Sequence, residues 1–67
     1  MKILGELEIT DHKKLVLSIG EYRDQERVDL RQYVLVDKDY IPTPKGINFN
    51  SEWLQDFIKL IKKLEDV

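Results

Sequence analysis

The sequence predicts an α+β fold in which four β-strands precede one C-terminal helix. Two observations carry this prediction. Apolar and polar residues alternate with a period of two up to Phe49, as they do in strands with one buried face. From Asn50-Ser51 onward the apolar spacing becomes helical. A chain of 67 residues is one small domain, so we expect residues 1–67 to form a single ββββα unit.

Alternation places the first three strands. The first contains Ile3, Leu7 and Ile9 between polar residues that include two glutamates. The second spans about 15–22 and the third about 28–36. We expect turns at the polar segments that separate the strands, which are 10–13, 24–26 and 37–39.

Prolines shape the fourth strand. Pro42 and Pro44 stand inside the extended segment between Tyr40 and Phe49. Because proline lacks the N–H that a strand ladder needs, a central and fully paired position is excluded. We therefore expect an edge strand or a bent one.

The C-terminal helix begins at Asn50 or Ser51, since either is a suitable N-cap. Its apolar surface is wider than the roughly 100° stripe that one sheet needs. Either the helix is well buried in a small core, or it covers its own sheet and also meets a second subunit. Trp53 is expected to anchor the helix in the core. We favour the second subunit, because a domain of this size buries only about 60% of its unfolded surface and is marginal alone. The expected dimer-interface residues are Trp53, Leu54, Phe57, Ile58, Ile61 and Leu64.

Composition argues against several functional classes. The chain has no cysteine and His12 is its only histidine, so disulfides and metal sites are not expected. Ser18 has no nearby histidine to activate it, and no Gly-rich phosphate loop occurs. We therefore expect neither an enzyme nor a bound metal or cofactor.

Hydropathy and charge constrain location and ligands. Apolar runs stay short of the roughly 18 residues that a membrane span needs, and Glu6 and Glu8 interrupt any signal-peptide core. We expect no membrane association and a cytoplasmic or nucleoid location, or the nucleus in a eukaryote. The formal net charge of −2 counts against nucleic-acid binding, for which a strongly basic domain is usual. Any phosphate-binding surface must arise by folding, which could gather the cations on one face.

The hairpin between the second and third strands predicts such a face. A loop centred on Asp24-Gln25 would pair Tyr22 with Arg27, while Ile19 and Leu30 would share the buried face. A slip of one residue would place apolar residues against polar ones, so the pattern resists it. The exposed face would have little apolar cover, and Gly20 would leave room there for a close approach. It would carry Ser18, Tyr22, Arg27, Asp29, Arg31 and Tyr33.

Two interpretations of this face remain open. Bases stack on aromatic rings for about 1–3 kcal/mol each and cations follow phosphates, so the face suits a single-stranded nucleic acid. Alternatively, the face is solvated, its tyrosines contact arginines across the strands, and Asp29 pairs with the arginines. Lys45 is either a phosphate contact or part of an ordinary turn. Gly46 would permit a special backbone angle or a close ligand approach.

Three segments together carry a family resemblance. They are Val28-Asp29-Leu30-Arg31-Gln32-Tyr33, Pro42-Thr43-Pro44-Lys45-Gly46-Ile47 and Trp53-Leu54. In order and spacing they resemble the transcriptional positive cofactor four family of single-stranded-DNA-binding proteins, over about 15–64. The resemblance implies a curved four-stranded antiparallel sheet, one helix and a homodimer built partly by the helices. It also implies binding of two antiparallel single strands, or of an opened duplex, with little sequence preference.

The resemblance adds residue roles and shows departures. By position, it makes Tyr22 a family aromatic and makes Arg23, Arg31 and Lys45 cations near the DNA path. Val34 replaces a common aromatic, Pro44 stands where a cation is frequent, and Asp24-Gln25 replaces a turn that often contains Gly and Lys. Together these departures imply fewer contacts and weaker, less salt-dependent binding. Together with the hairpin argument, the candidate nucleic-acid-binding residues are Tyr22, Arg23, Arg27, Arg31, Tyr33, Lys45 and Gly46.

The sequence thus supports two hypotheses. The first is a homodimer that binds single-stranded DNA without sequence preference, as a transcription-coactivator-like protein or a replication or repair accessory protein. RNA binding is a variant of it, and transcription or replication proteins are candidate partners. The second is a dimeric protein-interaction module with little nucleic-acid affinity, which the net charge of −2 favours.

Overall fold

A computed structural model describes residues 2–67. Four strands form one curved antiparallel sheet in the order β1-β2-β3-β4, and a helical segment follows them. The strands are β1 (Lys2–Thr10), β2 (Lys13–Tyr22), β3 (Gln25–Val36) and β4 (Asp39–Asn50). The helical segment consists of a 3-10 turn (Ser51–Trp53), helix α1 (Leu54–Lys62) and a second 3-10 turn (Lys63–Asp66). The predicted ββββα fold is confirmed.

Two of the hairpins turn through residues with positive φ. Arg23 and Asp24 have φ values of 53° and 63°, and Asp37 and Lys38 have φ values of 53° and 90°. Two-residue loops favour this left-handed backbone, because its twist matches that of the flanking strands. The β2–β3 loop is therefore shorter than the sequence suggested.

The predicted register of this hairpin is wrong by two residues. Tyr22 lies opposite Gln25 rather than Arg27, and Gly20 lies opposite Arg27. The cause is the two-residue turn at 23–24, which was expected one position later. Because side chains alternate with a period of two, an even shift leaves every side chain on its predicted face.

Strand β4 lies at an edge of the sheet, as its prolines predict. Its pairing with β3 shifts midway, since Arg31 lies opposite Gly46 whereas Tyr33 lies opposite Pro42. Residues 43–45 therefore face Gln32 alone. We call this segment, residues 43–45, the β4 bulge; such bulges bend a strand and redirect its side chains.

The two faces of the sheet differ in chemistry, since directly paired residues share a face. The apolar face carries Leu15, Leu17, Ile19, Val28, Leu30, Ile47 and Phe49. The polar face carries Val16, Ser18, Gly20, Tyr22, Arg27, Asp29, Arg31, Tyr33 and Asn48.

Buried side chains occur on both faces. Val28 and Phe49 are buried on the apolar face, and Val16, Ser18 and Asp29 are buried on the polar face. Val16 is only 1% exposed, so the expectation of a polar face with little apolar cover is wrong at its centre. The buried residues Val16, Ser18 and Asp29 lie on the two central strands, β2 and β3. The accessible parts of the polar face are therefore its ends.

The helical segment begins at the Asn50 N-cap, whose side chain accepts a hydrogen bond from the backbone N–H of Glu52 at 2.9 Å. Its closest aromatic contact with the sheet joins Phe57 to Phe49, whose ring centroids are 5.0 Å apart. No residue of the segment is buried. Trp53 is 62% exposed, so its expected role as an anchor in the chain's own core is wrong.

The molecule is a thin plate with extents of 38 × 37 × 18 Å. A single sheet with one short helical segment leaves much of the apolar face and of α1 open to solvent. Between residues 2 and 67, no helix combines the length and the apolar character that crossing a membrane requires.

Candidate nucleic-acid interface

The β2–β3 hairpin presents an aromatic ring and a cation to solvent. Tyr22 ends β2 and is 62% exposed. The guanidinium carbon of Arg23 lies 5.2 Å from the centroid of the Tyr22 ring, which is a cation–π distance. An exposed ring beside a cation is an arrangement in which a base can stack while its phosphate meets a positive charge.

An open groove of about 690 Å³ adjoins this pair. Arg27 lies in the groove opposite Gly20, which adds no side chain there. The Nε of Arg27 donates to Oδ1 of Asn48 at 2.8 Å, which orients the guanidinium. Within the described chain no further hydrogen bond engages it, so its terminal N–H groups can bind a phosphate. The groove is lined by Gly20, Glu21, Tyr22, Arg23, Gln25, Arg27 and Asn48.

Arg31, in contrast, is engaged inside the sheet. Its Nε and Nη2 donate to the Asp29 carboxylate at 3.2 and 2.9 Å, and its Nη1 donates to the carbonyl oxygen of Thr43 at 2.9 Å. The hydrogen bond from Arg31 lowers the pKa of Asp29, although burial acts in the opposite direction. The same contact raises the pKa of Arg31. Asp29 therefore pairs with one of the two arginines, as the alternative interpretation of this face proposed.

Lys45 and Gly46 lie where the β4 bulge ends. The Lys45 side chain is exposed, and its backbone N–H donates to Oγ1 of Thr43 at 3.2 Å. Gly46 does not have positive φ, so it supplies no special backbone angle. A Cβ there would lie 2.7 Å from the carbonyl oxygen of Leu30, so the close approach that the structure shows at Gly46 is to β3.

Tyr33 lies apart from this group, near the opposite end of the polar face. It is half-buried and lies opposite Lys14. Lys14 forms an ion pair with Glu6, and its Nζ lies 4.1 Å from the centroid of the Tyr40 ring. Because the charge of Lys14 is already paired with that of Glu6, this end of the polar face has less free positive charge for a phosphate than the hairpin end has.

The structure thus sorts the candidate residues. It brings Tyr22, Arg23 and Arg27 together at the hairpin, places Lys45 on the bulge and ties Arg31 to Asp29. Asn48, which orients Arg27, was not among the residues predicted from the sequence. The register that starts at the turn at 37–38 would place Gly46 opposite Asp29, and only the β4 bulge brings Asn48 to that position.

The chain matches a known protein family over most of its length. The family described as Transcriptional Coactivator p15 (PC4) matches residues 9–60. This range includes β2, β3, β4 and most of α1, and with them every candidate nucleic-acid-binding residue. No curated protein sequence matches the chain.

Solved structures share the fold. BPSL1147, a PC4 homologue from Burkholderia pseudomallei, is 26% identical with a TM-score of 0.88 over 96% of each chain. The bacteriophage T5 homologue of the eukaryotic coactivator PC4, implicated in recombination-dependent DNA replication, is 17% identical with a TM-score of 0.74, over 94% of this chain and 74% of that one. MoSub1 in its complex with single-stranded DNA is 21% identical with a TM-score of 0.59, over 91% of this chain and 71% of that one.

Proposed function

Because this chain belongs to the Transcriptional Coactivator p15 (PC4) family, we propose that it is a homodimer that binds single-stranded DNA without sequence preference. Its role would be that of a transcription-coactivator-like protein or a replication or repair accessory protein. The observation that carries the proposal is the exposed Tyr22 ring with Arg23 beside it and the oriented Arg27 in the adjoining groove.

These side chains divide the work of binding. Tyr22 stacks a base, while Arg23 and Arg27 meet the phosphates on either side of it. Lys45 supplies a further cation from the β4 bulge. None of these contacts reads a base edge, so the site is indifferent to sequence. MoSub1, which has the same fold, forms a complex with single-stranded DNA, which supports this choice of ligand.

A second copy of the chain supports the proposal structurally. Apolar side chains remain open on the helical segment, and Leu64 is 70% exposed. Few side chains of the isolated chain are buried, which is too small a core for a stable monomer. A dimer through the helices would cover this surface. The proposed interface is Trp53, Leu54, Phe57, Ile58, Ile61 and Leu64.

The decisive experiment is fluorescence anisotropy of labelled oligo-dT about 20 nucleotides long, which exceeds common site sizes. The titration is made at low and at physiological salt, with duplex DNA of equal length as competitor. We expect saturable binding that prefers the single strand and weakens with salt, because phosphate contacts release counterions. An oligo-U arm tests whether RNA serves equally well.

Site variants assign the surface. Changing both Tyr22 and Arg27 to alanine should abolish most binding, whereas Lys63→Ala, which removes a cation from the end of the helical segment, should change little. Equal binding by the double variant and the wild type would contradict the site assignment.

A second candidate function is a dimeric protein-interaction module. The balance of charge favours it, since the net charge is −2 and two cations of the polar face, Arg31 and Lys14, are already paired with carboxylates. A folded dimer that shows no anisotropy change at low salt would support this function and contradict the first.

A further inference from the structure

Arg31 has little left to offer a ligand. A guanidinium carries five N–H donors in a fixed fork. Here all three of its nitrogens donate within the chain, two to Asp29 and one to the carbonyl oxygen of Thr43. Its side chain is 25% exposed and that of Asp29 only 8%. If Arg31 turned toward a phosphate, the carboxylate of Asp29 would stay buried without its cation, which is strongly unfavourable.

The second partner of Arg31 lies on the β4 bulge. Thr43 begins this segment, and its Oγ1 donates to the carbonyl oxygen of Gln32 at 2.7 Å while accepting from the N–H of Lys45 at 3.2 Å. Arg31 adds a third hydrogen bond, which its Nη1 donates to the carbonyl oxygen of Thr43 at 2.9 Å. Regular β3–β4 pairing is interrupted here, so these side-chain bonds replace the ladder bonds that would otherwise hold the strand.

From this geometry we infer that Arg31 is a positioning residue: it holds the β4 bulge, and with it Lys45, in place for DNA and does not itself contact phosphate. The role requires arginine, because only a planar fork can bind a carboxylate with two nitrogens and a carbonyl with the third. Lysine would keep the charge and lose the geometry. The inference rests on the proposed single-stranded-DNA binding, of which it refines one part.

The first test needs no DNA. In Arg31→Lys we expect amide hydrogen exchange at Lys45 to become faster, on the order of tenfold. The reason is that the bulge loses stabilisation equal to the net free energy of about one hydrogen bond. Exchange at Leu17, in the centre of the β2–β3 ladder, should stay unchanged. Arg27→Lys is the matched control, since it alters the other arginine of the polar face without touching the bulge.

The second test uses the salt dependence of oligo-dT binding. Each phosphate neutralised on a single strand contributes about 0.7 to the slope of log affinity against log salt. We expect Lys45→Ala and Arg31→Lys each to reduce the slope by about 0.7, and the double variant to reduce it by the same amount, because both changes remove one contact. Lys63→Ala, which removes a cation outside the proposed site, should keep the wild-type slope.

Opposite results overturn the inference. Wild-type exchange at Lys45 in Arg31→Lys would show that Arg31 does not hold the bulge. A wild-type slope in Arg31→Lys, with the full effect when Lys45→Ala is added, would show that Lys45 meets phosphate without help from Arg31. If Arg31→Lys does not fold, Asp29→Asn weakens the hold on the guanidinium and should also speed exchange at Lys45 and reduce the slope, whereas a larger slope would mean that the freed Arg31 meets phosphate. A wild-type chain that binds no oligo-dT would overturn the proposed function, while exchange at Lys45 would still decide whether Arg31 holds the bulge.

Discussion

Gly46 lies against Leu30 so closely that no other residue fits there without a shift of the backbone. A Cβ built on Gly46 would lie 2.7 Å from the Leu30 carbonyl oxygen and 2.9 Å from the Cα of Arg31. These are backbone atoms, which cannot rotate away as a side chain could. The contact joins the edge strand to β3 directly beside the β4 bulge.

Gly46→Ala should therefore destabilise the protein by about 1–3 kcal/mol, the usual cost of overpacking. Urea unfolding at a fixed protein concentration measures it. Gly5→Ala is the control, because nothing lies within 4 Å of a Cβ at Gly5 and its φ is not positive. That variant should be as stable as the wild type or slightly more stable. Equal losses of stability in both variants would show that the loss does not come from the contact between Gly46 and Leu30.

Tyr22→Ala should weaken oligo-dT binding by about 1–3 kcal/mol, which is the usual contribution of one stacked base. Tyr22→Phe should bind like the wild type, because the ring stacks and its hydroxyl has no described partner within the chain. Anisotropy titrations of the two variants give the comparison. If Tyr22→Ala bound oligo-dT with wild-type affinity, the Tyr22 ring would not be part of the binding site.

Asp29→Asn tests the ion pair through its pH dependence. The pKa of Asp29 is lowered by Arg31, so folding favours the charged carboxylate. The wild type should exceed Asp29→Asn in stability at neutral pH, because unfolding there returns the carboxyl to its ordinary pKa of about 3.9. The advantage should shrink as the pH falls below about 4 and vanish once the folded carboxyl is protonated. Thermal unfolding between neutral and acidic pH measures this, and a constant difference would contradict it.

Ile61→Asp tests the helix-mediated dimer. Ile61 is 47% exposed in the single chain, and a charge there would be buried without a partner in the proposed interface. We expect sedimentation velocity to show a shift from dimer to monomer, with a lower unfolding temperature. Gln55→Asp adds the same charge on the same helix outside the proposed interface, and it should remain dimeric. A dimeric Ile61→Asp would place the interface elsewhere.

The alternation of side chains was enough to predict the strands and the faces of β2 and β3, whereas in β1 register shifts place Ile3 opposite Ser18 of the polar face and Leu7 opposite Leu15 of the apolar face. Even with the β2–β3 register wrong by two residues, Tyr22 and Arg27 were placed correctly on the same face, because the error was even. Asn50 was likewise recognisable as an N-cap. These features depend on local chemistry, which a short stretch of sequence contains.

Features that depend on distant strands could not be predicted. Arg31 looked like a free cation because its carbonyl partner, on Thr43, becomes accessible only through the bulge in β4. Val16 was not predicted as a buried residue because it alternates with Leu15 and Leu17, whereas its burial depends on the neighbouring strands β1 and β3. Trp53 looked like a core residue because its apolar character does not reveal whether this chain or another covers it.

The prolines of β4 have a consequence for assembly. An edge strand can template the addition of another strand, but Pro42 and Pro44 have no N–H to donate to it. This part of β4 is therefore a poor pairing edge, whereas β1, the other edge strand, contains no proline. A filament needs two competent edges per copy, since each contact must be repeated head to tail. Pairing through β1 would join two sheets symmetrically and stop there, so the chain limits its own polymerisation.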